Sequence, residues 1–145
     1  PGKLAGRVIP IPDKGMNLRL GSIELKAVPA HFLHAEGNFQ FYDPRSRILF
    51  SGDLGANLGP QETLDVPAKR LDDVLPHMEG FHKRYMNSNQ VCRYWANMAS
   101  AMDIDMIVPQ HGRALVGKAV REFIRWIGDL QCGIDLMSQA DYKLP

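Results

Sequence analysis

Three stretches of this chain end an apolar run on a residue able to bind a metal. Ile48-Leu49-Phe50-Ser51-Gly52-Asp53 runs into a carboxylate, Met106-Ile107-Val108-Pro109-Gln110-His111-Gly112 into an imidazole, and Val28-Pro29-Ala30-His31-Phe32-Leu33-His34 into another. A carboxylate at the end of a buried strand needs a cation, a metal or N–H donors, because an unpaired buried charge costs several kcal/mol. Imidazole and carboxylate together suit zinc, iron or manganese better than calcium or magnesium. Gly52 and Gly112 beside two of these residues allow the backbone to turn or to approach a neighbour closely. Each feature alone has a plainer reading: a histidine after a strand as a structural residue, an Asp after Ser-Gly as a turn or cap residue. The combination of His34, Asp53 and His111 points to one metal site.

The elements that would position these residues follow from the hydrophobic pattern. Leu18-Arg19-Leu20 and Ile23-Glu24-Leu25-Lys26-Ala27 alternate with period two around Gly21-Ser22, which predicts a hairpin. Residues 39–42 and 47–50 predict a second hairpin around Asp43-Pro44-Arg45-Ser46, with Asp and Pro placed as in a type I turn. Residues 55–67 read as loop. Residues 69–102 read as helix, broken near Met86-Asn87-Ser88, with Asn87 as N-cap and Gln90 three positions on. Cys92, Trp95, Ala99 and Met102 form an apolar stripe in its second part. After the strand Met106-Ile107-Val108, residues 118–136 predict an amphipathic helix whose buried face is Val120, Phe123, Ile124, Ile127, Leu130 and Ile134. Strands first and helices later imply an α+β fold, with helices on one face of a mainly antiparallel sheet. The strand Ile48-Leu49-Phe50 is apolar at consecutive positions and so wants cover on both faces.

Composition bounds the function. The 145 residues are long enough for one domain and too short for two, with 45% hydrophobic and 23% charged residues. A net charge of +1 gives no reason to expect a nucleic-acid or membrane-surface partner. No apolar run approaches the ~20 residues of a membrane span. The opening Pro1-Gly2-Lys3-Leu4 lacks the form of a signal peptide. Cys92 and Cys132, both in helix-like segments, read as small core residues in a reducing compartment, hence a cytoplasmic location.

His34-Ala35-Glu36-Gly37-Asn38-Phe39, Leu49-Phe50-Ser51-Gly52-Asp53 and Ile107-Val108-Pro109-Gln110-His111-Gly112 together resemble the later ligand motifs of the metallo-β-lactamase superfamily. Within it they are most similar to the flavodiiron and oxygen-binding diiron proteins. The 18 residues between His34 and Asp53 match the spacing in that branch. Phe81-His82-Lys83-Arg84-Tyr85-Met86 and Asp103-Ile104-Asp105-Met106-Ile107 are also similar to it. The resemblance implies that His34 binds one metal, His111 the other, and Asp53 bridges the two. His31, Glu36, His82 and Tyr85 are candidates to line or orient the site; His77 reads as a surface residue. The superfamily's first ligand motif, His-x-Glu-x-Asp-His or His-x-His-x-Asp-His, is absent. The chain is therefore expected to be the second half of an αββα sandwich, with the other half as its partner.

The resemblance implies two iron ions and a protein that binds or reduces dioxygen (or nitric oxide), such as an oxygen sensor, or an oxidoreductase if it turns over. It also implies a homodimer. No flavodoxin domain and no FMN site are evident among these residues. The alternative is a zinc hydrolase of the same superfamily, similar to the glyoxalase II thioesterases. The absent first motif is where Glu would favour iron and His would favour zinc.

Overall fold

The computed structural model describes residue 6 and residues 8–144; the opening segment Pro1–Leu4 lies outside them. Among the described residues, strands β1 (Met16–Leu20), β2 (Ile23–Pro29), β3 (Phe39–Asp43), β4 (Ile48–Gly52), β5 (Met106–Pro109) and β6 (Leu115–Val116) form one sheet in sequence order. The helices are α1 (Glu79–Tyr85), α2 (Asn89–Ser100) and α3 (Lys118–Asp129). The fold is thus α+β, as the order of patterns predicts.

Both hairpins form where the turn residues place them. In the second, Asp43 accepts from the Arg45 N–H at 2.9 Å and from the Ser46 hydroxyl at 2.7 Å. The Ser46 and Arg45 hydrogen bonds hold the Asp43 carboxyl below its ordinary range. Every pairing between these strands is antiparallel except β4 with β5. Parallel strands need a long crossover, and residues 53–105 supply it.

That topology decides where the candidate ligands go. β4 and β5 run together, so their C-terminal ends share one edge of the sheet. β3 runs against β4 and β2 against β3, so the β2–β3 connection lies at the same edge. The segments after β2, β4 and β5 are those that carry His34, Asp53 and His111.

The helices cover one face. Leu49, Ile107 and Leu115 from the sheet and Phe123 and Ile127 from α3 have no solvent exposure; a fully buried side chain of this size contributes about 1.5–3 kcal/mol. Trp95 of α2 donates its indole N–H to Gln40 Oε1 at 2.8 Å, and the Gln40 amide donates to the Ser51 carbonyl at 3.0 Å. This buried bridge ties α2 to β3 and β4. α2 and α3 approach closely at Gly128, where an added Cβ would lie 3.1 Å from Ala96 Cβ. The opposite face of the sheet carries paired Phe41 and Phe50, with Val108 beside Phe50. Phe41 and Phe50 remain 37% and 46% exposed.

Three expectations are corrected. Residues 69–78 are not α-helical: Leu71–Asp73 and Leu75–His77 are 3-10 turns and α1 starts only at Glu79. Pro76 is the reason, since it lacks an N–H and its ring clashes with the carbonyl four residues back. The N-cap position of α2 is Ser88, not Asn87, and its side chain makes no capping bond. A carboxylate from far along the chain does that work instead: Asp135 accepts from the Asn89 N–H at 2.5 Å. Finally, α3 ends at Asp129 rather than continuing to 136. Leu130 is extended and Gly133 has φ +52°, so the chain folds back toward α2. Ile134 is therefore 63% exposed rather than core, and Cys132 sits in this return segment rather than in a helix.

Candidate metal centre

Asp53 sits just past β4, where Gly52 at φ +60° turns the chain out of the strand. A Cβ on Gly52 would meet nothing within 4 Å, so this glycine serves the turn and not a close approach. The Asp53 carboxylate lies between two imidazoles. His34 Nε2 is 3.0 Å from Oδ2, and His111 Nε2 is 3.7 Å from Oδ1. Each carboxylate oxygen thus faces a different ring. The three side chains are partly exposed, at 40% for His34, 31% for Asp53 and 54% for His111, so the cluster opens to the surface.

The loop that delivers His34 is closed by its own backbone. Ala30 N–H donates to the Asn38 carbonyl at 2.9 Å and Phe32 N–H to Ala35 at 2.7 Å, while the Asn38 amide donates to the Leu33 carbonyl at 2.5 Å. Leu33, buried among core residues, anchors it from below. Phe81 and Tyr85 of α1 flank the His34 ring, with centroids 6.1 and 5.8 Å away.

The segments bearing Asp53 and His111 are locked to each other by Asn57. Its backbone N–H donates to the His111 carbonyl at 3.1 Å. Its side-chain amide donates to the carbonyls of Gly55 at 2.9 Å and Arg113 at 3.1 Å, and its Oδ1 accepts from the Arg113 N–H at 3.0 Å. Asn57 has no solvent exposure. Gly112 makes this contact possible: its φ is +90°, and a Cβ there would sit 1.7 Å from the Asn57 carbonyl oxygen. The Gln110 N–H also donates to the Gly52 carbonyl at 2.7 Å, one residue before Asp53.

His82 holds the Asp53 segment from the helix side. Its Nε2 accepts from the Gly55 N–H at 2.9 Å, so its proton is on Nδ1, which donates to the Met78 carbonyl at 2.8 Å. Both ring nitrogens are thereby used. Burial pushes the imidazole down to about 4, against weaker opposing effects of the Met78 bond and the Asp53 charge. His82 is a neutral structural residue supporting the loop.

Of the remaining sequence candidates, Tyr85 stands beside His34. The His31 ring is occupied by the Asp13 carbonyl at 2.7 Å and packs edge-on against Phe39. Glu36 is exposed, and so is His77. Sequence reasoning passed over Asn57 and gave Phe81 no role beyond its place in a similar segment. Nothing distinguishes Asn57 from a turn asparagine in a Gly-, Pro- and Asn-rich stretch; its importance comes from bonds across 56 positions of chain. Among the described residues, no group of three His, Cys, Asp or Glu is arranged to hold a single ion. The cluster instead offers two pairs, His34 with Asp53 and His111 with Asp53. That donor set fits two cations sharing a carboxylate, provided further ligands come from outside these residues.

Comparison with known proteins places the chain. The family model described as ODP family beta lactamase matches residues 3–112, and the chain belongs to that family. Two solved structures of the chemotaxis sensor ODP are similar to it at 42% identity over 90% of this chain. One is described as a peroxy diiron species (TM-score 0.83, 55% of that chain) and the other as the apo state from T. denticola (TM-score 0.85, 54% of that chain). This chain therefore spans about half the length of those relatives. A flavodiiron protein from Giardia intestinalis shares the fold at 22% identity, with a TM-score of 0.67 over 82% of this chain and 29% of that one. No curated protein matches.

Proposed function

We propose that this chain supplies His34, Asp53 and His111 to a two-iron centre that binds dioxygen, or nitric oxide, in a sensor-like protein. The observation that carries the reading is the placement of Asp53, whose two oxygens face two different imidazole nitrogens at 3.0 and 3.7 Å. One carboxylate can hold two cations and offset their mutual repulsion. The similarity to ODP, described as a diiron chemotaxis sensor, supports iron and an oxygen-related role.

His34 would hold one ion and His111 the other, with Asp53 shared. Bound iron would supply the redox chemistry that dioxygen binding requires. The residues of this chain supply its frame. Neutral His82 and the Asn57 network fix the loops that carry Asp53 and His111. Phe81 and Tyr85 wall the His34 side and limit its rotation. The Nε2 atoms of His34 and His111 are the ring nitrogens turned toward Asp53, so they are the atoms that would hold the two cations.

The remaining ligands belong, on this reading, to the other half of an αββα sandwich. The exposed Phe41 and Phe50 on the sheet face away from the helices support that arrangement. The test is to purify the full-length protein, measure its metals and titrate the reduced form with dioxygen. Two irons per chain and a reversible absorption change on dioxygen addition are expected. A colourless protein containing zinc would sink the proposal.

A further inference from the structure

Away from the metal centre, two thiols meet. Cys92 on α2 and Cys132 in the return segment after α3 lie with sulfurs 3.7 Å apart, 40 positions apart in sequence. Both are free and neither is exposed. We propose that Cys92 and Cys132 form a peroxide-oxidisable dithiol that closes to an intramolecular disulfide, joining α2 to the segment after α3.

The fold builds this juxtaposition with several independent contacts. Gly133 lies against the backbone just before α2: with φ +52°, its Cβ would fall 2.1 Å from the Asn87 carbonyl oxygen, so only glycine fits. The next residue, Ile134, donates its N–H to that same carbonyl at 2.9 Å. The Asp135 carboxylate then accepts from both the Asn89 N–H at 2.5 Å and the Cys132 N–H at 3.2 Å. The backbone of the return segment is thus clamped to the first turn of α2, one helical turn from Cys92. Closing the pair requires the sulfurs to move from 3.7 Å to a bond of about 2.05 Å. The backbone contacts above leave that movement to the two side chains.

The thiols are not equivalent. The contact between the two sulfurs holds the Cys132 thiol below its ordinary value, whereas that same contact, with burial, pushes Cys92 up. The Asp135 charge opposes ionisation of both. On this proposal Cys132 is the attacking sulfur.

The Cys132 thiolate attacks one peroxide oxygen, the O–O bond breaks, and the departing hydroxide takes up the proton that Cys132 released. Cys132 is left as a sulfenic acid. Cys92 sulfur then attacks Cys132 sulfur, the S–O bond breaks, and water leaves with the Cys92 proton. Two thiols lose two electrons and one peroxide becomes two waters. Packing alone would also bury two cysteines, but it predicts no bond between them.

The full-length protein is reduced, exposed to equimolar hydrogen peroxide under native conditions, then alkylated in denaturant and digested. The expected result is a cross-linked peptide pair containing Cys92 and Cys132, with the intact mass lower by about 2 Da and restored by dithiothreitol. Both cysteines recovered fully alkylated, or carrying separate oxygen adducts without a cross-link, would overturn the proposal. In Cys132→Ser the oxidation of Cys92 should slow at least tenfold. An unchanged rate would equally overturn it.

Discussion

Replacing Asn57 with alanine tests the frame of the site without touching a proposed ligand. The side chain makes three hydrogen bonds, to the Gly55 carbonyl, the Arg113 carbonyl and the Arg113 N–H. It does so with no solvent exposure. Each bond contributes a net ~1 kcal/mol, and stranding its buried partners adds to that, so Asn57→Ala should cost about 3 kcal/mol. Asn57→Asp is nearly isosteric and sharpens the test. It keeps an acceptor for the Arg113 N–H but sets a carboxylate oxygen against two carbonyl oxygens, so it should be at least as damaging. The assay is urea unfolding of the full-length protein, read as a lower midpoint at unchanged slope, alongside bound iron. Both variants should lose metal affinity, because Asp53 and His111 are no longer held at a common distance. Stability within about 0.5 kcal/mol of wild type in Asn57→Ala, the range of an ordinary surface change, would refute the argument.

Two further outcomes follow from the same frame. Gly112→Ala forces a Cβ to within 1.7 Å of the Asn57 carbonyl at φ +90°; it should destabilise by more than 3 kcal/mol and lower iron content, measured by unfolding and metal analysis. His82 titrates at about 4 in the fold against 6.5 when unfolded. The unfolded chain therefore binds the proton more readily. The stability His82 provides is intact above pH 6.5 and is lost as pH falls toward 4, by about 3 kcal/mol in all. Comparing unfolding of wild type and His82→Gln from pH 7 to 4 isolates that slope, which should vanish in the variant.

The legible parts of this fold are those set by neighbours in sequence. Period-two runs flanking Gly21-Ser22 and Asp43-Pro44-Arg45-Ser46 became the two hairpins, because turn residues and alternation act over a few positions. Apolar strands ending on Asp53 and His111 marked both as candidate ligands, and the topology does bring both to one edge beside His34. The illegible parts depend on distant partners. Apolar spacing continues through residues 69–78, but Pro76 breaks the α-helical ladder there. The end of α3 is invisible locally, since the segment beyond it is folded back by contacts with Met86 and Asn87. The cap of α2 comes from Asp135, 46 positions away, which no local capping rule can find. His82 shows the same limit in chemical form. Its residue type suggests a site, while its two hydrogen bonds and burial make it a neutral strut.

The central claim is that Asp53 is shared between two irons while each histidine serves one. Iron content of full-length Asp53→Ala, His34→Ala and His111→Ala, each loaded without oxygen and desalted, tests it directly. Asp53→Ala removes a ligand from both ions and should retain almost no iron, whereas each histidine variant should retain roughly one of two. Equal residual iron in all three variants would contradict the account.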